Sequence, residues 1–495
     1  MHFNLEREKP TCNCGVFGIF GSHNASLETY YGLHSLQHRG QEACGIVTKS
    51  INEKGKTVFC IEKGEGLVTE VFDDQEIFHN KLIGNAAIGH NRYSTTGSSQ
   101  SHKNIQPFIV NYRLGNLGVA HNGNLTNARE IREELVNEGA IFQTTSDTEV
   151  ILHLIARSRL NDQVEQIKEA LQRIEGAFSL VLMTDTKLIA ARDSFGFRPL
   201  SIGKLNGAYI IASETCAFDI LSAEFVREVN PGEIIVIDNE VLESDKIKTF
   251  KLSTTVNERK HCIFEYIYFS RPDSFIFGHN VDKMRRRLGK TLARNHPVYN
   301  EDEEKIIVIS VPDSSNTTAV GYQTELEKLG VNCKLEIGLI RSHYIGRTFI
   351  QPGQSNREIG VKIKFNTVKG VLEGRTVVLV DDSIVRGTTS KQLVKLIRDA
   401  NPKSIHLRIS SSPITHPCFY GMDFPSKEEL IAHTYNSDME AMKNFLGVDS
   451  LEYLTTEEML EAVSEAGKDN FCHACFSGKY PTEVDLTFKK EIYEI

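Results

Sequence analysis

The stretch that most constrains how this chain folds is Thr376 to Thr389, TVVLVDDSIVRGTT. Its first five residues are β-branched or apolar throughout, with none of the polar alternation of a half-exposed strand. They read as a strand buried on both faces of a parallel sheet. From Ser390 the spacing turns helical, with Leu393, Val394, Leu396 and Ile397 on one face among Lys391, Lys395 and Arg398. The turn between strand and helix is where open α/β sheets bind ligands, and its backbone N–H groups can hold a phosphate.

Two adjacent carboxylates, Asp381 and Asp382, repel each other and compete with an anion for that turn. They make sense facing sugar hydroxyls and a divalent cation. Gly387 lets the backbone close on the anion, while Ser383, Thr388 and Thr389 add hydroxyl donors. The run has no Gly-Lys-Ser/Thr ending and no G-x-G-x-x-G, which excludes the P-loop and the dinucleotide fingerprint. It resembles the phosphoribosyl diphosphate loop of the type I phosphoribosyltransferases. The resemblance implies that Asp381 and Asp382 contact the ribose hydroxyls and magnesium. It also implies that Ser383, Arg386, Gly387, Thr388 and Thr389 bind the rest of the substrate, the turn taking the 5'-phosphate.

At 495 residues the chain exceeds what one core usually supports, so two sizeable domains are expected. A net charge of -9 without long charge runs argues against a nucleic-acid binder and fits an enzyme with a local basic site. No stretch reaches membrane-spanning length, and the leader MHFNLEREKPTCN lacks an apolar core, so no secretory signal is expected. Ten cysteines in so long a chain do not make a disulfide scaffold, and a reducing, cytoplasmic compartment is expected.

In chain order, Cys14 heads an apolar run, CGVFGIFG. Polar turns follow, the first three bearing glycine: GLHSLQHRGQEACGI (32 to 46), GHNRYSTTG (89 to 97), AHNGNLTN (120 to 127) and TSDTEV (145 to 150). This order resembles the glutaminase domain of the class II, N-terminal-nucleophile amidotransferases, an αββα hydrolase fold. The chemistry needs these residue types: a thiolate attacks the glutamine amide, and a Cys that stands first can use its own α-amine as base. That amine has a reference pKa of roughly 8, near working pH. The resemblance implies Cys14 as nucleophile, with Asn122 and Gly123 donating to the oxyanion. Arg92 would hold the glutamine α-carboxylate and Asp147 its α-amine. Residues 1–13 would then be a propeptide, although Asn13 precedes the Cys where an acidic residue is expected, and Cys12 lies nearby.

Helices are expected through Val150 to Arg157 and Val164 to Ile174, then strands and tight turns through Arg198-Pro199-Leu200 and SETCAF (213 to 218). The polar stretch Glu243 to Lys260 reads as the domain boundary, giving a first domain at 14–250 and a second at 260–465. The second opens on HCIFEYIYFSRPDS and a basic helix containing Arg285, Arg286 and Arg287. KIIVISVPDSSNTTAVGY repeats strand, turn and helix, and the resemblance makes Ser314 in its turn a magnesium contact. The basic segment Leu339 to Pro352, with Arg357, Lys362 and Lys364, reads as a lid. The stretch from Lys427 to Ala466 reads as acidic and helical.

Cys472 and Cys475 form a C-x-x-C pair, which alone reads as zinc, a redox disulfide or an iron–sulfur ligand set. Taken whole, the chain from Cys14 to about Pro481 resembles the glutamine phosphoribosylpyrophosphate amidotransferase family. One bacterial subgroup of that family binds a [4Fe-4S] cluster through four cysteines, and Cys262, Cys418, Cys472 and Cys475 match them, making 466–495 a cluster-binding segment. Cys44 and Cys216 read as packing residues, and Cys60 and Cys333 as structural. The resemblance implies transfer of ammonia from glutamine to phosphoribosyl diphosphate, the first committed step of purine synthesis. It further implies purine-nucleotide inhibition and a homotetramer. A hexosamine-forming amidotransferase would lack the VDDS loop, a phosphoribosyl diphosphate sensor would not need the glutaminase motifs, and an iron–sulfur redox protein would leave both sites idle.

Overall fold

In the computed structural model, the structure describes residues 14–93, 102–254, 256, 258–300, 304–342, 364–424 and 426–485. The leader with Cys12, the Ser94 to Gly97 end of the second glutaminase motif and most of the lid segment, including Arg357 and Lys362, lie outside the described residues.

Strand Gly15–Phe20 is the middle of a seven-stranded antiparallel sheet, flanked by Ala208–Ala212 and Ala86–Arg92. A six-stranded antiparallel sheet lies against it, carrying Gly115–Leu125, Gly176–Thr184 and Leu188–Arg192. The period of two along a strand divides the side chains cleanly. Val16 and Phe20 point inward with Val181, Met183 and Ala190 of the second sheet. Phe17 and Ile19 point outward against helix Ala25–Ser35 through Leu33. On the far side, Val119, Leu180 and Leu182 pack with Ile151, Ile155 and Ile167 of helices Thr148–Arg157 and Gln163–Leu171. The layers run helix, sheet, sheet, helix.

The later residues form a five-stranded parallel sheet in the order Cys333–Leu335, Ile306–Ser310, Thr376–Asp381, Ser404–Ile409 and Ser450–Tyr453. Both faces are covered, so the central strand is apolar from Val377 to Val380. Val378 and Val380 meet Leu288, Leu292 and Tyr322 of helices Val281–Asn295 and Asn316–Lys328. Val377 and Leu379 meet Leu393 and Ile397 of helix Thr388–Arg398.

The stretch from Lys427 to Ala466 departs from the helical expectation. It holds helices Met439–Leu446 and Thr456–Ala462, but between them Ser450–Tyr453 closes the sheet as its edge strand. Leu451 and Tyr453 are buried in the core, and that burial outweighs the polar character of the surrounding sequence. No helix among the described residues is long and apolar enough to cross a membrane.

Candidate active site

Cys14 is buried at the edge of the central strand, one residue before Gly15, which is in register with Asn91. Its thiol donates to the Tyr93 carbonyl at 3.6 Å. Burial pushes the thiol up to about 11, opposed by the Tyr93 contact and by the Arg92 charge, while Asp147 and Glu42 add to the rise. Arg92 ends strand Ala86–Arg92, and Asp147 stands just before helix Thr148–Arg157. The structure therefore brings Arg92 and Asp147 within electrostatic reach of Cys14. The Asp147 carboxylate accepts from the Leu125 N–H at 2.9 Å and from the Thr148 and Ser146 hydroxyls at 3.3 and 3.4 Å.

Asn122 and Gly123 lie on strand Gly115–Leu125. Asn122 Nδ2 donates to Ser213 Oγ at 3.4 Å, and the same oxygen accepts from the Val16 N–H at 3.0 Å, which ties the amide to the strand of Cys14. An amide nitrogen carries two hydrogens, so one remains for an oxyanion. Gly123 has a φ of 153°, and a Cβ there would sit 2.0 Å from the Ala177 carbonyl oxygen. Only glycine fits.

At the carboxyl end of the parallel sheet, Asp381 and Asp382 are buried beneath a ring of hydroxyls. Ser314 Oγ donates to Asp382, and Ser315 Oγ donates to Asp381 at 3.2 Å and to Asp382 at 3.4 Å. Ser383 Oγ donates to Asp382 at 2.8 Å. The two strand-to-helix turns thus meet, although 68 residues separate Ser314 from Asp382. The Arg285 guanidinium lies near enough for its charge to bear on Asp382. Gly387 caps helix Thr388–Arg398 with a φ of 79°, the left-handed conformation the turn requires. Among the described residues, the hydroxyls of Thr388, Ser410 and Ser411 are buried without a hydrogen-bond partner. Arg386 forms an ion pair with Glu429 at 2.8 Å.

The four cysteines of the expected cluster also converge. Cys262 and Cys472 are register partners on two short parallel strands, His261–Cys262 and Phe471–Cys472. Burial pushes the Cys262 thiol up to about 11, and Cys418, Cys472 and Cys475 upward as well, with neighbouring thiols adding to the rise at Cys472 and Cys475. The Tyr420 N–H donates to Cys418 Sγ at 3.3 Å, and the Arg198 charge favours the thiolates of Cys262, Cys418 and Cys472. Among the described residues no group of three or more His, Cys, Asp or Glu side chains is arranged to hold a metal ion.

A buried ionic network joins the two halves. Arg39 Nε donates to the Cys14 carbonyl at 3.2 Å, and its guanidinium pairs with Glu214 and, at 2.8 and 3.0 Å, with Glu265. Arg198 reaches Glu265 at 3.4 Å and donates to the Tyr420 carbonyl. Burial alone would raise the carboxyl of Glu214, but His38 and Arg39 hold it well below its usual range. Sequence reasoning missed Arg39, Glu214 and Glu265. The available signal was a lone charge inside an apolar run, as in CIFEYIYF and IIASETCAF.

With this geometry in hand, similarity to known proteins becomes informative. A glutamine amidotransferase domain model matches residues 90–219. The chain is 48% identical over 475 residues to the amidophosphoribosyltransferase of Bacillus subtilis, covering 95% of this chain and 94% of that one. It is 44% identical over 492 residues to the amidophosphoribosyltransferase of Methanocaldococcus jannaschii, at 96% and 98% coverage. The solved structure of the B. subtilis glutamine phosphoribosylpyrophosphate amidotransferase complexed with ADP and GMP superposes with a TM-score of 0.85 at 47% identity, covering 95% of this chain and 98% of that one. A structure described as the allosteric regulatory enzyme of purine biosynthesis gives 0.86 at 46% identity, with 95% and 97% covered.

Proposed function

This chain belongs to the amidophosphoribosyltransferase family, and from that premise we propose that it makes 5-phosphoribosylamine, glutamate and pyrophosphate from glutamine, phosphoribosyl diphosphate and water, the first committed step of purine synthesis. The observation that carries the reading is the coexistence of two built sites in one chain. A buried thiol stands within reach of Arg92 and Asp147, and a hydroxyl-ringed Asp381–Asp382 pair sits at a sheet switch point.

In the first site, residues 14–250, Arg92 takes the glutamine α-carboxylate and Asp147 the α-amine, which aims the side-chain amide at Cys14. A thiol raised to about 11 needs a local base, and the α-amine of Cys14, freed by removal of residues 1–13, supplies it. The sulfur adds to the amide carbon as the amine takes the thiol proton. The oxyanion meets Asn122 Nδ2 and the Gly123 N–H. The C–N bond then breaks, ammonia leaves with that proton, and water cleaves the thioester to glutamate. The intact mass of active enzyme should begin at Cys14; retained Asn13 would remove this base.

In the second site, residues 260–465, the Gly387 to Thr389 turn grips the 5'-phosphate at the helix N-terminus, and Asp381 and Asp382 hold the ribose. Ammonia attacks C1 as the bond to pyrophosphate breaks. Ser314, Asp381 and Asp382 are an all-oxygen donor set suited to magnesium, which when bound neutralises the leaving pyrophosphate. Cys262, Cys418, Cys472 and Cys475 are a thiol-only set with peptide N–H donors to sulfur; they are not drawn into a closed ligand set here, and would hold a [4Fe-4S] cluster by turning their thiols together when it binds. We also read the enzyme as a cytoplasmic homotetramer inhibited by purine nucleotides. Incubation with glutamine, magnesium and phosphoribosyl diphosphate should release glutamate and pyrophosphate in equal amounts; glutamate without pyrophosphate would defeat the reading.

A further inference from the structure

The loop that carries Cys418 also lies on the oxyanion strand. Gly421, with a φ of 96°, approaches Gly123 so closely that a Cβ there would stand 3.1 Å from the Gly123 carbonyl carbon, 3.2 Å from its oxygen and 3.3 Å from its Cα. Gly123 is also tightly packed on its own account, because a Cβ there would stand 2.0 Å from the Ala177 carbonyl oxygen. The carbonyl of Gly123 and its Cα, one bond from the amide nitrogen, therefore pack against the loop at Gly421, while the space a Cβ would take is filled by strand Gly176–Thr184. The next residue is fixed to the same loop, because Asn124 Nδ2 donates to the Phe419 carbonyl at 3.0 Å. Arg198 holds the loop from beneath through the Tyr420 carbonyl.

We propose that Gly421 is a positioning residue for the glutaminase reaction: the loop at Phe419 to Gly421, contributed by the second half of the chain, sets where the Gly123 N–H points. The inference rests on Gly123 being an oxyanion donor and goes beyond it, since nothing in that role requires a contact from outside the glutaminase layers. Oxyanion donors act on the transition state, so displacement by a few tenths of an ångström lowers kcat more than it raises KM. The half of the chain that consumes ammonia thereby helps set the geometry that makes it.

The test measures pyrophosphate release by the full-length enzyme with glutamine or with ammonia as nitrogen donor. Gly421→Ala is expected to lower kcat with glutamine by about tenfold or more, with glutamine KM and the ammonia-dependent rate within about threefold of wild type. An unchanged glutamine kcat, or an equal fall with both donors, overturns the proposal. Because an alanine at this positive φ strains the backbone, Asn124→Leu, which removes the tether to Phe419, is read alongside. If Gly421→Ala fails to fold, the same glutamine-selective fall in Asn124→Leu supports the proposal, and its absence overturns it. Asn122→Ala separates the two levels of the argument. If it lowers glutamine kcat while neither loop variant does, the oxyanion reading survives and the role of Gly421 falls. If all three leave glutamine kcat intact, both fall.

Discussion

Arg39 and Glu265 form a fully buried ion pair, with guanidinium-to-carboxylate distances of 2.8 and 3.0 Å, across the boundary between the thiol site and the segment leading into the parallel sheet. The same Arg39 supports the Cys14 carbonyl. Removing Glu265 leaves Arg39 paired with Glu214 alone and takes a buried acceptor from Arg198, so the cost should fall below the about 3–5 kcal/mol of a wholly stranded charge. Glu265→Ala should therefore lower the chemical-denaturation midpoint relative to wild type. An unchanged midpoint would show that the pair contributes nothing.

Acid should destabilise the protein in two stages. Burial holds His90 down to about 3, against 6.5 when exposed. Below 6.5 the unfolded chain takes up a proton that the folded chain refuses, so the stability present above 6.5 is lost as pH falls towards 3. Glu214 is held below its ordinary 4.5 by His38 and Arg39, so its contribution is present above 4.5 and lost as pH falls further. The melting temperature should decline from about pH 6.5 and more steeply below about 4.5. Glu214→Gln should melt lower at pH 7 and show a flatter acid limb; an acid limb as steep as wild type would remove Glu214 from the account.

The convergence of Cys262, Cys418, Cys472 and Cys475 predicts brown protein with about four irons per chain when purified without oxygen. Cys472→Ser should lose the visible absorption and most of the iron. Stoichiometric zinc in wild-type protein would contradict the assignment.

The two sites differed in how much of them the sequence disclosed. Thr376–Asp381 was legible because a strand buried on both faces can tolerate no polar alternation, and the helix beginning at Thr388 announced itself by a change of period. Ser450–Tyr453 was hidden because an edge strand of four residues in an acidic neighbourhood carries too short a pattern to compete. Cys14, Arg92 and Asp147 could be picked out only through the resemblance to the class II amidotransferases, and their proximity is a product of the antiparallel sheets. The Arg39–Glu265 pair and the Gly421–Gly123 contact join residues hundreds of positions apart, and local sequence holds no trace of either. Burial of a charge becomes visible only when its partner is in place.

The central claim is that one chain holds two separable catalytic sites, the first supplying ammonia to the second. Cys14→Ala, assayed for pyrophosphate release with each nitrogen donor, tests it most directly. The variant should lose at least about a thousandfold of its glutamine-dependent rate while ammonia-dependent release stays within about twofold of wild type. Loss of both activities in a folded variant, or retention of both, would contradict it.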